Sequence, residues 1–283
     1  MSKLKISYLI TCKDEVDTLR LLLFQLITHI DKNDEIIIIR DTSGTNKDTD
    51  VIINLDANFK KDKRIFLYLH DLNSNFAEHK NWANSKCCGD YIFQCDGDEL
   101  PHQYLLENIK AIIESNNEID LYFLPRINDF WGVTDRDCIQ WGWKLTTRNI
   151  TRPFFKQSYN FRMRNGTEIS ENNPAEWIEY WGQNIKNEKQ STTYILCNLN
   201  YNANIINYPD WQGRIYKNSP KIKWKGKLHE KIEGHKHYSL FPAQEEFTLY
   251  HDKTIEKQIE TNLKYNKDFT PDENRGHNVF NKK

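Results

Sequence analysis

The sequence carries almost no net charge: 39 Lys and Arg stand against 40 Asp and Glu, leaving −1. That balance excludes a uniformly basic nucleic-acid binder and leaves room only for a local basic face. None of the 6 cysteines forms a C-x-x-C pair or a zinc-ligand spacing, and Cys87-Cys88 are too close for an ordinary structural disulfide. Cys12 and Cys95 fall in apolar, strand-like runs and read as small core residues, so a reduced, cytoplasmic compartment is the simplest expectation. The longest apolar stretches, near residues 21–27 and 36–39, fall far short of the roughly 20 residues of a membrane span, so a soluble chain without membrane insertion is expected. Residues 1–6 lack the apolar core of a signal peptide. Internal repeats and low-complexity linkers are also missing. So is a Gly-rich phosphate loop, which argues against a nucleotidyltransferase.

What is present is a regular alternation over the first 125 residues of this 283-residue chain. Apolar runs at 6–10, 35–39, 65–69, 91–95 and 120–124 read as buried strands. Between them, 14–30, 76–86 and 103–115 carry helical spacing, the last started by Pro101. Strand and helix in alternation predict an α/β fold with a mostly parallel sheet and helices on both faces. Ligands of such sheets bind at the carboxyl ends of the strands. Those ends are Thr11 to Glu15, Asp41 to Thr45 and Asp96 to Glu99, and all three are polar or acidic.

Asp96-Gly97-Asp98-Glu99 is the most informative of them. Two carboxylates one residue apart, with a small Gly97 that lets the backbone turn, make a compact pocket of hard oxygen ligands suited to Mg²⁺ or Mn²⁺. An EF-hand is excluded, because its sixth loop position would be Pro101 instead of Gly. Aromatic residues make up 13% of the chain, and five of the 8 Trp (131, 141, 143, 177 and 181) lie between 126 and 208. That stretch loses the regular alternation and reads as an insertion covering the site. Strands near 212–216 and 247–250 and a helix at 255–267 follow, before a frayed tail.

With these blocks in order, the chain resembles a GT-A glycosyltransferase of the family 2 type, of the kind encoded by tailed phages and bacteria. The matching residues are Thr11 to Glu15, Asp41 to Thr45, Lys80-Asn81, Gly89-Asp90-Tyr91 and Asp96-Gly97-Asp98. A C-terminal block is similar too: Arg214-Ile215-Tyr216, then Trp224-x-Gly226-x-Leu228-His229-Glu230, with a later His251 ahead of a helix. The resemblance implies a nucleoside-diphosphate sugar as donor and a divalent cation, Mn²⁺ or Mg²⁺, at its diphosphate. Asp98 would hold the metal, Asp96 the metal or ribose, and His229 would complete the coordination. Glu15 and Asp41 would grip base and ribose, and Thr11 would present its backbone to the nucleotide. Lys80 and Arg214 would meet phosphate or acceptor. Glu230 and Asp210 stand as the two options for the acceptor base. Residues 1–125 would form the nucleotide-sugar-binding half, 126–208 an aromatic-rich acceptor region, and 209–283 the part completing one continuous catalytic unit.

Eight Lys or Arg against two acids between Arg214 and Lys236 place positive charge beside His229-Glu230. This allows either a solvated face or a polyanionic acceptor. The acceptor would be hydroxymethylated cytosine in phage DNA or a surface glycan. A non-catalytic nucleotide-sugar-binding protein is the alternative from a different functional class.

Overall fold

Continuous apolar runs and helical apolar stripes build the N-terminal half. The strands β1 (Ile6–Cys12) and β2 (Glu35–Asp41) are near-continuous apolar runs buried along almost their whole length. Such strands suit the middle of a parallel sheet covered on both faces. The helices carry one apolar stripe instead. Helix α1 (Val16–His29) buries Leu19, Leu22, Leu23 and Leu26, each contributing about 1.5–3 kcal/mol to its docking. The computed structural model describes residues 4–43, 59, 61–158, 180–187 and 190–274, with side chains except at 154–158, 180–187 and 190–197. Trp177, the Gly44-Thr45 end of the second acidic turn and the tail from 275 lie outside the described residues, as do the side chains of Trp181 and Cys197.

Along the sheet, β3 (Ile65–His70), β2, β1 and β4 (Tyr91–Asp96) run parallel. Next comes the long β9 (Gln190–Lys217), antiparallel to both β4 and β6 (Leu121–Trp131). Parallel to β6 lies β13 (Leu249–Thr254), which closes on β5 (Glu99–Pro101). Helices α1 and α3 (Gln103–Ser115) pack in one core cluster, with the side chains of Ile6, Tyr8 and Ile10. Helix α2 (Phe76–Asn84) packs in a second, with Leu9, Ile37 and Ile92. Alternating residues of β1 thus face the two layers, which is the α/β architecture expected. Cys12 and Cys95 are both buried in the first cluster.

Beyond residue 126 the structure is more regular than its sequence pattern. β6 continues to Trp131 and leads into α4 (Asp135–Trp141), which a Thr134 and Asp137 capping box starts. Then β7 (Leu145–Ser158) and β8 (Tyr180–Asn187) both pair with β9. These strands interleave Thr, Asn and Arg with isolated apolar residues such as the buried Ile150 and Ile205. Their regularity comes from pairing across a ladder, which no contiguous apolar run announces. A separate hairpin, β10 (Lys223–Lys225) with β11 (Lys231–Glu233), docks on α2, and β12 (Tyr238–Leu240) lies beside β6. The chain ends in α5 (Ile255–Asp268). Among the described residues no helix is long and apolar enough to cross a membrane.

Candidate active site

The carboxyl ends of β1, β2, β4, β6 and β13 share one rim. Thr11 pairs with Asp96 across the β1–β4 ladder, and its carbonyl accepts the Gly97 N–H at 2.8 Å. Gly97 is needed there for space: a Cβ would come within 2.8 Å of Cys12 Cβ. The turn is therefore pressed flat against β1, and Asp96 and Asp98 take different partners.

Asp96 turns into a buried charge network. Its Oδ1 accepts from Thr11 Oγ1 and Gln94 Nε2, each at 2.9 Å, and lies 3.2 Å from Lys80 Nζ. Its Oδ2 accepts from Arg214 Nη2 at 2.8 Å. Burial opposes ionisation, but Lys80 and Arg214 outweigh it and hold this carboxyl far below the usual range. Glu99, with no exposed side-chain surface, accepts from Arg214 Nη2 at 2.6 Å and Arg126 Nη1 at 2.9 Å. Arg126 also grips Asp210 at 2.7 Å, and Lys80 reaches Glu230 at 2.7 Å. Three cations thus meet four carboxylates beneath the rim.

Asp98 instead meets an imidazole. His251 Nε2 stands 3.3 Å from Asp98 Oδ2, while His251 Nδ1 lies 2.8 Å from Asn128 Oδ1. Asn128 donates its Nδ2 to Asp210, so its Oδ1 accepts from His251 Nδ1–H, and Nε2 is the ring atom turned to Asp98. Burial raises the Asp98 pKa and His251 lowers it more, leaving about 2. In the sequence His251 belongs to a matching block but carries no assigned role. The signal that identifies it is its register on β13, opposite Asn128 on β6.

Among the described residues His229 makes no hydrogen bond or ion pair with Asp98. It is exposed, adopts φ 53°, and its Nε2 lies 3.2 Å from Asn274 Oδ1. The five residues 226–230 join β10 to β11, and Gly226 (φ 97°) and His229 both take left-handed backbone. That double turn sends His229 outward and Glu230 inward, to Lys80. The hairpin itself is held by Asn81, whose side chain exchanges two 2.9 Å hydrogen bonds with the Trp224 backbone.

The remaining expected residues divide between the site and its scaffold. Both oxygens of Asp210 are engaged: Oδ2 by Arg126 and Asn128, Oδ1 by Gln212 at 2.8 Å. A bulge allows this convergence, since Arg126 and Asn128 face Asp210 and Ile206, with three β9 residues between them against one on β6. Asp41 accepts from the Ser43 backbone at 2.9 Å, Ser43 Oγ at 2.7 Å and the Leu72 N–H at 3.0 Å, tying β2 to the loop after β3. Glu15 folds back on the N–H groups of Lys13 and Asp14. Burial first, then the Asp98 charge, raises its pKa.

Among the described residues no group of three or more His, Cys, Asp or Glu converges as a self-sufficient metal site. The Asp98 and His251 pair nevertheless fits a cation completed by a ligand. Two cis ligands about 2.1 Å from one Mg²⁺-sized ion lie about 3 Å apart, close to the 3.3 Å observed. Mg²⁺ is commonly held by one or two protein groups plus substrate phosphates, and imidazole suits Mn²⁺.

The chain belongs to Glycosyl transferase family 2, which it matches over residues 7–170. Arg214, Glu230 and His251 lie beyond the matched segment. Among solved structures it is similar to S. aureus TarS 1–349 in complex with UDP-GlcNAc (11% identity, 88% of this chain and 59% of that one, TM-score 0.46). It is also similar to the mannosyltransferase PcManGT from Pyrobaculum calidifontis in complex with GDP-Man and Mn²⁺ (14% identity, 43% and 35% covered, TM-score 0.37). The chain spans less than two thirds of the length of either. No curated protein matched it by sequence.

Proposed function

We propose that the chain is a metal-dependent glycosyltransferase moving a sugar from a nucleoside-diphosphate sugar to a hydroxyl acceptor. The observation that carries this reading is the Asp98 and His251 pair at the rim of a family 2 sheet, 3.3 Å apart and backed by the Asp96 network. A divalent cation held by Asp98 and His251 would supply positive charge to the departing diphosphate. Asp96 keeps Lys80 and Arg214 in place, which fixes the turn that carries Asp98. Glu15 and Asp41 line the nucleotide side of the rim.

Glu230 is the acceptor base in this reading. Its Oε1 is bound by Lys80 and, among the described residues, its Oε2 has no partner, so it can take the proton of an acceptor hydroxyl. Asp210 has both oxygens occupied and a pKa that Arg126 lowers against the effect of burial, which suits a clamp. The acceptor is a polyanion. Lys221, Lys223 and Lys225 are exposed on or beside the hairpin that carries Glu230, whereas Lys217 and Lys227 pair with Asp120 and Glu273. Hydroxymethylated DNA and a phosphorylated surface glycan both offer such charge.

The test is a panel of UDP-, GDP-, CMP- and dTDP-sugars with Mn²⁺, followed by turnover with each acceptor. Mn²⁺-dependent donor cleavage that Asp98→Ala abolishes is expected, with Glu230→Gln losing transfer while still binding donor. Binding without turnover under any metal would instead make the chain a sugar-nucleotide-binding protein.

A further inference from the structure

Lys80, Arg126 and Arg214 are each paired with carboxylates. A fourth cation near the site is not. Lys253 lies on β13 two residues beyond His251, so strand alternation puts its side chain on the same face of the sheet. It is half-buried, and the charges acting on it are Asp98, Lys257 and Arg126. Among the described residues its ammonium makes neither an ion pair nor a side-chain hydrogen bond. With Asp98 beyond ion-pair distance and two cations opposing it, this part-buried ammonium is short of negative charge, which an anion would supply. Lys257, in the first turn of α5, adds a second positive charge to the same surroundings.

We propose that Lys253 binds the β-phosphate of the nucleoside diphosphate, and that it holds the departing diphosphate more strongly than the intact donor. The inference rests on the donor reading above. The bond that breaks joins the sugar's anomeric carbon to a β-phosphate oxygen, and the electron pair stays on that oxygen. The diphosphate therefore gains one negative charge as the sugar leaves. A cation beside it stabilises the transition state and product beyond the ground state, which is the condition for raising turnover. The ligand class is a nucleoside diphosphate, distinguished from a nucleoside monophosphate by the phosphate that Lys253 reaches.

The experiment is calorimetric titration of the intact chain with UDP and UMP, or the base the donor screen selects, in Mn²⁺. Wild type, Lys253→Met and Lys253→Arg are compared. Loss of a charge-assisted contact should weaken diphosphate binding by roughly 10- to 100-fold in Lys253→Met. Monophosphate binding and the melting temperature should be unchanged, and Lys253→Arg should retain most of the affinity. Equal diphosphate affinity in wild type and Lys253→Met overturns the assignment and leaves the donor reading intact. Parallel loss of both nucleotides overturns it too, because the β-phosphate would not be the point of contact. A wild-type chain that binds no nucleoside diphosphate overturns both the assignment and the donor reading.

Discussion

With Lys80 3.2 Å from one oxygen and Arg214 2.8 Å from the other, Asp96 is committed to the fold, while Asp98 faces an imidazole at 3.3 Å. The two acids therefore respond differently to the same change. Asp96→Asn leaves Lys80 and Arg214 underneutralised in the interior and should cost about 3 kcal/mol or more in urea unfolding. Asp98→Asn leaves no buried lysine or arginine short of its partner, since among the described residues the Asp98 ion pair is to His251, and should change stability by about 1 kcal/mol or less yet abolish metal-dependent donor cleavage. At this scale the acids were legible in the sequence, because apolar runs stop at them. Their partners were not: Arg214 and Lys80 read as phosphate ligands, and only the packing shows them turned inward. His251 is a lone histidine on a short strand, whose role depends on its register with Asn128. His229 drew attention because Glu230 follows it, and a left-handed residue cannot be read from that dipeptide.

Among the elements, the D-x-D turn and the β10–β11 hairpin bring the site together. Gly97 has ordinary backbone angles, so its role is spatial: a Cβ would meet Cys12 Cβ at 2.8 Å. Gly97→Ala should therefore push the turn off β1 and cost about 1–3 kcal/mol. The loss of donor turnover should exceed what the melting temperature explains, as steady-state kinetics beside thermal unfolding would show. The strand ends and helix faces of the first 125 residues follow from continuous apolar runs and from a period of 3.6. The β7–β9 ladder does not, because its strands are polar and long and are specified by their partners.

For the whole molecule, electrostatics also tie the sheet together far from the rim. Asp120, at the start of β6, accepts from Lys217 Nζ at 2.9 Å and from the Lys236 and His237 N–H groups. Burial raises its pKa, but Lys217 and the two N–H groups outweigh it, leaving about 2. A carboxyl depressed on folding stabilises fully above its unfolded pKa near 4, and the contribution disappears as pH falls through about 2. Urea unfolding at pH 7, 4 and 2.5 should show this acid loss. Asp120→Asn should remove a share of about 1 kcal/mol once solvent screening is counted.

In the proposed nucleotide-sugar site, Asp98 and His251, rather than His229, would hold the cation. Mn²⁺ affinity in the presence of a nucleoside diphosphate, followed by electron paramagnetic resonance, tests it most directly. His251→Ala should weaken Mn²⁺ binding by roughly tenfold or more, and His229→Ala should leave it unchanged. Loss of Mn²⁺ binding in His229→Ala, with His251→Ala unaffected, would contradict the account.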